Sequence, residues 1–222
     1  TRVLYQLAYS AVFVWDVLIA VVGYALTSRL LDNHIRSVEP TVLGWVSCLI
    51  CYPPFWQKVS ADYFNYNLDD YYWGHAFEGS PVLYAAWAAL IIFFLGIYVL
   101  STAAFGLRFS NLTHRGIITS GPYRWVKHPA YTSKLITYCM ISLPFLPMAG
   151  WGVAIQSTLL LMGVAGIYVL RAITEERHLA RDPDYREYQA YIAEHGLWAR
   201  FKRIVGVHRG SAARTASGAA DE

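Results

Sequence analysis

The sequence predicts an all-α, polytopic membrane protein with about five transmembrane spans. Apolar residues make up 56% of the 222 residues and charged residues only 15%, against roughly 25% charged in soluble domains. Several uncharged runs approach or exceed the about 20 apolar residues that a helix needs to cross the hydrocarbon layer. This composition excludes an ordinary soluble domain.

Four apolar runs supply the predicted spans: Val3–Thr27, Thr41–Trp56, Pro81–Leu107 and Leu135–Leu170. The last run is too long for one crossing at about 1.5 Å of rise per residue. Because proline and glycine interrupt helices, we interpret it as two spans joined by a tight turn. The turn-forming residues in its middle are Pro144, Pro147, Gly150 and Gly152.

The distribution of basic residues predicts the orientation, since short cytoplasmic loops are enriched in Lys and Arg. Gln57–Ser80 contains one Lys and four acidic residues, so it is expected to face outward. Alternation then places Arg108–Lys134 and the C-terminal region on the cytoplasmic side. The outward loop is rich in aromatic residues, which indicate either an interfacial belt or the rim of a lipid cavity.

The region after the last span has an amphipathic pattern. Asp182 and Pro183 predict an N-cap followed by a proline at the first helical position. Apolar and basic residues then alternate up to Val205, which favours a helix on the inner leaflet. Three regions are expected: 1–107 with the N-terminal spans, 108–205 with the polar motifs, and a disordered tail over 206–222. A chain that begins at Thr1 also suggests a truncated or processed start.

Other classes of site find little support in the sequence. The net charge is only +3 and the cations lie where topology requires them, so nucleic acid is not expected as a partner. Cys48 and Cys51 lie in an apolar run, where thiols pack as small hydrophobes. Glu175 and His178 form a single E-x-x-H pair, whereas a di-iron bundle needs two, so no metal site is predicted.

The segment Arg115–Tyr131, RGIITSGPYRWVKHPAY, combines cations, turn formers and a histidine at the predicted cytoplasmic mouth of the bundle. Gly121 permits a close backbone approach, and the proline after His128 restrains that histidine. The surrounding cations could bind a carboxylate or a phosphate. The alternative is a positively charged cytoplasmic loop with a hydrogen-bonded histidine.

Two adjacent carboxylates, Glu175 and Glu176, lie at the cytoplasmic end of the last span. Arg171 precedes Glu175 by one helical turn, so a local ion pair is the ordinary interpretation. The carboxylates could equally face a cationic ligand such as a sulfonium or a protonated amine. Asp16 poses a similar question, because a carboxylate at mid-span is costly unless it faces protein or water. Both a structural hydrogen bond and a functional role are open for it.

These motifs, GPYRWVKHPAY, proline-broken apolar helices, EERHL and DPDYREYQAY, resemble the isoprenylcysteine carboxyl methyltransferase family and related bacterial integral-membrane methyltransferases. The resemblance covers roughly Arg115 to Ile192. It implies catalytic roles for Lys127 and Glu175, although Lys127 stands where the family usually has arginine and so lacks the bidentate fork. It also implies S-adenosylmethionine contacts at the cytoplasmic face from Tyr123, His128, Pro129, Tyr131, Glu175 and Glu176.

The resemblance therefore implies an S-adenosylmethionine-dependent methyltransferase of the bacterial inner membrane, with a cytoplasmic active site in the region 108–205. A lipid or lipid-like acceptor is expected to enter from the bilayer. Two alternatives stay open: an NADPH-dependent reductase of the sterol-reductase type, and a non-catalytic membrane scaffold or carrier. Methyl transfer needs a general base only when the acceptor is protonated. The residues leave the acceptor and the oligomeric state undetermined.

Overall fold

The computed structural model describes residues 2–206 and confirms the all-α class. The helices are α1 Arg2–Ala25, α2 Val42–Leu49, α3 Phe55–Asp62, α4 Trp73–Ala76, α5 Pro81–Phe105, α6 Pro129–Ser142, α7 Trp151–Leu179 and α8 Pro183–His195. Two 3₁₀ turns cover Gly106–Arg108 and Gly121–Arg124, and residues 197–206 are also helical. Strands β1 Ser37–Val38 and β2 Thr113–His114 form one antiparallel pair. Apart from Gly206, the predicted tail lies outside the described residues.

Three of the described helices are long and apolar enough to cross a membrane: α1, α5 with the 3₁₀ turn that follows it, and α7. They correspond to the predicted runs Val3–Thr27 and Pro81–Leu107 and to the second half of Leu135–Leu170. Helix α7 continues from Leu170 to Leu179, which lengthens it by about 13 Å. This extension carries the two adjacent glutamates beyond the apolar run.

Residues 41–56 do not form the continuous span that the sequence predicts. Helix α2 ends at Leu49 and α3 begins at Phe55, because Pro53 and Pro54 lack the N–H groups needed to continue a helix. Helix α2 has only 8 residues, or about 12 Å of length. The apolar character of this run therefore does not indicate a single helix that crosses the bilayer.

The broken segment packs along α7 instead. Ser47 Oγ of α2 lies 3.2 Å from Thr174 Oγ1 near the end of α7. Further along the chain, the Phe64 ring packs directly on Gly163, at a distance that leaves no room for a Cβ. Along the chain, this segment thus contacts α7 first near the C-terminal end of α7, at Thr174, and then near its middle, at Gly163. This packing brings residues of the N-terminal half beside the predicted site.

The predicted turn within Leu135–Leu170 is confirmed between α6 and α7. Leu143 adopts the left-handed conformation that ends α6, and Gly150 has a φ of 104° immediately before α7. Gly152 differs from the expectation, because it lies in the first turn of α7 rather than in the loop. Helix α6 starts at Pro129, before the predicted boundary, and its 14 residues span only about 21 Å.

The loops that follow α1 and α5 are joined at one end of the molecule. Strands β1 and β2 pair there, and Arg108 Nη2 donates to Asp32 Oδ2 at 2.6 Å. Asn33 is fully buried and its Nδ2 donates to the carbonyl oxygens of Leu26 and Leu107. These contacts hold the segment before α6 next to the ends of α1 and α5.

Helix α8 confirms the N-terminus predicted at Asp182. The Asp182 side chain accepts a hydrogen bond from the Asp184 N–H at 2.9 Å, and a proline occupies the first turn. The buried face of α8 consists of Tyr185, Tyr188 and Ile192. Residues 197–206 leave large apolar side chains exposed, as the amphipathic pattern predicts: Leu197, Trp198, Phe201, Ile204 and Val205.

Candidate functional site

Glu176 is the centre of a hydrogen-bond network that joins the two motifs. Its Oε2 accepts from Lys127 Nζ at 2.7 Å, and its Oε1 lies 2.7 Å from His128 Nε2. Gln189 of α8 donates to the same Oε2 at 3.2 Å. His128 is the N-cap residue of α6 and Pro129 is the first residue of that helix. The network therefore ties the start of α6, the end of α7 and α8 together.

Glu175 has a different environment from its neighbour. Its Oε2 accepts from the Tyr131 hydroxyl at 2.7 Å. The other carboxylate oxygen has no hydrogen-bond partner among residues 2–206. The Tyr131 ring in turn stacks on His128, with 5.5 Å between ring centroids and 6° between ring planes. Adjacent glutamates thus divide their roles: Glu176 is occupied by three donors, whereas Glu175 keeps an oxygen available.

The Gly-Pro-Tyr turn places a third aromatic side chain at the site. Gly121 has a φ of 58°, a conformation that favours glycine, and the 3₁₀ turn that follows buries Tyr123. The Tyr123 ring packs edge-on against Phe105 with 5.2 Å between centroids. Burial, reinforced by the nearby Glu175 carboxylate, holds the pKa of the Tyr123 hydroxyl well above its ordinary value. This phenol therefore stays protonated and can donate a hydrogen bond.

Three cavities include both Phe105 and Glu175 in their walls. The one that we call the central cavity is lined by residues of α1, α5, α6 and α7 and of the loops beside them. A second cavity extends toward α8, and a third extends toward β1 and β2. The polar and aromatic lining of the central cavity includes Asp16, Tyr52, Tyr98, Thr102, Asn111, Tyr123, His128, Tyr131, Arg171 and Glu175.

The structure brings together most of the residues that the sequence selected. Tyr123, His128, Tyr131 and Glu175 line the central cavity, and Lys127 lines the cavity toward α8. Glu176 and Pro129 are not among the residues that line these three cavities. Pro129 is fully buried in the first turn of α6, which suits it to holding the preceding histidine. Direct cofactor contacts from all of these residues stay predictions.

Arg171 does not form the local ion pair with Glu175 that helical spacing suggests. Its Nη2 donates instead to the Tyr52 hydroxyl at 3.1 Å and to Asn111 Oδ1 at 3.0 Å. Its guanidinium carbon also lies 4.9 Å from the centroid of the Tyr131 ring. The reason is tertiary: the packing of α2 on α7 carries Tyr52 to the arginine. A spacing rule within one helix cannot detect such a partner.

Sequence reasoning missed several polar residues at the site, among them Tyr52, Asn111 and Gln189. Tyr52 lies in a loop far from the recognised motifs and Asn111 lies four residues before Arg115, and neither belongs to a motif that would single it out. Gln189 was detectable in principle, because it follows Tyr185 by one helical turn on the buried side of α8. A helical-wheel reading of α8 that included polar residues would have selected it.

Comparison with known proteins identifies one family. Residues 82–181 match the model of the isoprenylcysteine carboxyl methyltransferase (ICMT) family. No curated protein and no solved structure matches the chain. The matched region contains every site residue selected from the sequence, from Tyr123 to Glu176, and leaves out Asp16 and α8. The match covers 100 of the 222 residues and confirms the resemblance that the motifs carry.

Proposed function

Because residues 82–181 match the model of the isoprenylcysteine carboxyl methyltransferase family, we propose that this protein methylates a lipid-like acceptor with S-adenosylmethionine as the donor. The family match and the three long apolar helices support an integral-membrane methyltransferase. The donor, the acceptor class and the cytoplasmic position of the active site are the parts that we propose. The proposed donor rests on the geometry of the central cavity, and the proposed cytoplasmic position rests on the distribution of basic residues.

The observation that carries the proposal is the placement of Glu175. Its carboxylate lies in the wall of a cavity whose other walls are largely aromatic, and one of its oxygens is free to meet a ligand. A carboxylate among aromatic rings is an environment that attracts a cation. S-adenosylmethionine supplies a methyl group on a positively charged sulfur. The free oxygen and the aromatic lining therefore fit this donor.

The remaining residues act by positioning. Glu176 holds Lys127 and His128 in fixed places, and the His128 ring stacks on Tyr131 beside the cavity. A fixed wall of this kind orients bound reactants, which contributes much of the acceleration in a displacement that requires no protein nucleophile. Tyr123 adds a protonated hydroxyl at the Gly-Pro-Tyr turn. None of these groups needs to form a covalent bond.

A direct comparison of ligands tests the donor. Isothermal titration calorimetry on the purified protein should show binding of S-adenosylmethionine and of S-adenosylhomocysteine, and no comparable binding of NADPH. Glu175 should favour the charged sulfonium over the uncharged thioether. Binding of NADPH without binding of S-adenosylmethionine would contradict the proposal and would favour a reductase. Binding of none of the three would favour a scaffold or carrier.

Topology is tested by labelling single cysteines. We expect Glu78→Cys to react from outside the cell and Thr119→Cys to react only after permeabilisation, in a background in which the native cysteines are replaced. Both positions are exposed, and charge asymmetry places them on opposite sides. The readout is reaction with a membrane-impermeant maleimide in intact and permeabilised cells. Equal labelling of both in intact cells would contradict a cytoplasmic site.

A further inference from the structure

Residues 197–206 form a helix with one apolar face. Its five large apolar side chains recur at positions i, i+1, i+4, i+7 and i+8, which places them within about 120° of the helix circumference. Each of them is more than half exposed, so the rest of residues 2–206 leaves this face uncovered. They are Leu197, Trp198, Phe201, Ile204 and Val205.

The remainder of the 197–206 helix is basic. Arg200, Lys202 and Arg203 are exposed, and no residue of this helix is acidic. The ion pairs formed within residues 2–206 include none of these three. The Lys202 ammonium lies 5.5 Å from the centroid of the Trp198 ring, at the border of the apolar face. A basic side chain at such a border can cover apolar surface with its stem and extend its charge into a headgroup layer.

The 197–206 helix begins near the end of a predicted span. Helix α8, which leads into it, packs Tyr185 and Tyr188 in one cluster with Phe105, the last residue of α5. Because α5 is long and apolar enough to cross a membrane, its end marks the level at which hydrocarbon gives way to headgroups. A helix with one apolar and one basic face fits a position in the plane of the leaflet surface at this level.

The same helix is bonded to the motif loop. The Leu197 N–H donates to the carbonyl oxygen of Trp125 at 2.9 Å. The guanidinium carbon of Arg200 lies 4.5 Å from the centroid of the Trp125 ring. A Cβ at Gly196 would lie only 3.0 Å from that carbonyl oxygen, so a glycine permits the close approach. Trp125 precedes His128 by three residues, and a restraint on Trp125 is therefore a restraint on the loop that carries His128.

We propose that the 197–206 helix is a binding surface for the phosphodiester headgroups of anionic phospholipids, and that this contact holds the motif loop through Trp125. The apolar face can insert into any leaflet, whereas the basic residues distinguish anionic from zwitterionic headgroups. Each Lys or Arg near an anionic membrane surface strengthens binding about fivefold. The lipid composition of the leaflet then determines how firmly the loop beside the candidate site is held.

Charge favours lipid over a second copy of the chain as the occupant of this face. A two-fold symmetric contact brings the same patch of both copies together. The basic residues of one 197–206 helix would then meet those of the other, and no acidic residue of either helix would offset the repulsion. An anionic leaflet supplies both an apolar layer for the exposed face and phosphate oxygens for the bases.

Fluorescence quenching by brominated lipids tests the contact. The full chain is placed in phosphatidylcholine nanodiscs that contain the same minor fraction of either brominated phosphatidylglycerol or brominated phosphatidylcholine. Comparison of each protein with its Trp198→Phe counterpart isolates the signal of Trp198. We expect the anionic lipid to quench Trp198 at least about threefold more than the zwitterionic one. Lys202→Gln combined with Arg203→Gln should remove this preference.

A matched variant separates a specific surface from net charge. Arg29→Gln combined with Arg181→Gln removes the same charge at two exposed positions outside the helix, and it should retain the preference. Equal quenching of the parent by both lipids would overturn the proposal, as would a loss of preference in the matched variant. Absence of quenching by either lipid, together with a dimer in analytical ultracentrifugation, would assign the apolar face to a second copy.

Hydrogen–deuterium exchange tests the link to the motif loop. In the parent, phosphatidylglycerol should slow exchange at least about threefold in the peptides that contain Leu197 and Trp125–His128, whereas the Lys202→Gln/Arg203→Gln variant should not respond. Unchanged exchange in a parent sample that shows the quenching preference would overturn the link. Calorimetry with S-adenosylmethionine in the same nanodiscs distinguishes the two proposals. A parent that prefers the anionic lipid but binds no donor contradicts the proposed function and leaves the lipid surface intact.

Discussion

Replacing Glu175 with glutamine is expected to weaken S-adenosylmethionine binding about tenfold to a hundredfold, as the loss of roughly 1.5–3 kcal/mol from a charged contact predicts. Glutamine keeps the size of the side chain and can still accept from the Tyr131 hydroxyl, which now bonds to the glutamate at 2.7 Å. The substitution therefore removes the negative charge at the cavity wall and little else. Calorimetry on the purified variant measures the dissociation constant.

The kinetic effect should appear in KM more than in kcat. Positive charge leaves the sulfur as the methyl group is transferred, so attraction to Glu175 is strongest before the reaction. An interaction of this kind contributes binding rather than rate. S-adenosylhomocysteine has no sulfonium and should lose little affinity. Glu194→Gln, at a side chain that is 72% exposed, is the control. An unchanged affinity of Glu175→Gln for S-adenosylmethionine would remove the main support for the site.

Replacing Glu176 with alanine is expected to reduce both stability and activity. The change leaves Lys127, His128 and Gln189 without their shared acceptor. Losing the acceptor of partly buried donors costs about 1–3 kcal/mol. The Lys127 side chain is 35% exposed, so water can compensate for part of its loss. Thermal unfolding in detergent should show a lower midpoint, and KM for the donor should rise because His128 lines the central cavity.

Variants of Lys127 are the matched comparison for Glu176→Ala, because Lys127 is one of the three donors to Glu176. Lys127→Arg should stay close to the parent, since arginine keeps a positive charge toward Glu176. Lys127→Ala should lower activity less than Glu176→Ala, because His128 and Gln189 still bind the carboxylate. If Glu176→Ala is as stable and as active as the parent, the network does not position the site. If Lys127→Arg is as harmful as Lys127→Ala, the ammonium has a geometric role that charge alone does not supply.

Motifs in which local chemistry decides the conformation were predictable. Gly121 at a positive φ, Pro129 at the first position of α6 and Asp182 at the N-cap of α8 all follow from the properties of single residues. The long spans follow from uninterrupted apolar runs, and α1, α5 and α7 are the helices that meet the length and hydropathy of a crossing. In these places the conformation depends on residues that are close to one another in the sequence.

Predictions failed where a residue's partner lies on another element. Helical spacing pairs Arg171 with Glu175, yet the arginine bonds to Tyr52 and Asn111. Apolar composition suggests one span over 41–56, yet the segment breaks after α2 and packs along α7. Hydrophobicity measures the tendency to leave water, and it does not distinguish burial in lipid from burial against protein. Only the packed structure resolves that choice.

The sequence by itself determined the membrane class, the family motifs and the set of residues from Tyr123 to Glu176. These depend on composition and on short-range spacing, which the chain carries before it folds. Tertiary structure alone decided that Glu176 is occupied by three donors while Glu175 keeps a free oxygen, and that Asp16 shares a cavity with it. The physical reason is that side-chain hydrogen bonds reach only about 3 Å, so partners distant in sequence meet only when α1, α5, α6 and α7 pack together.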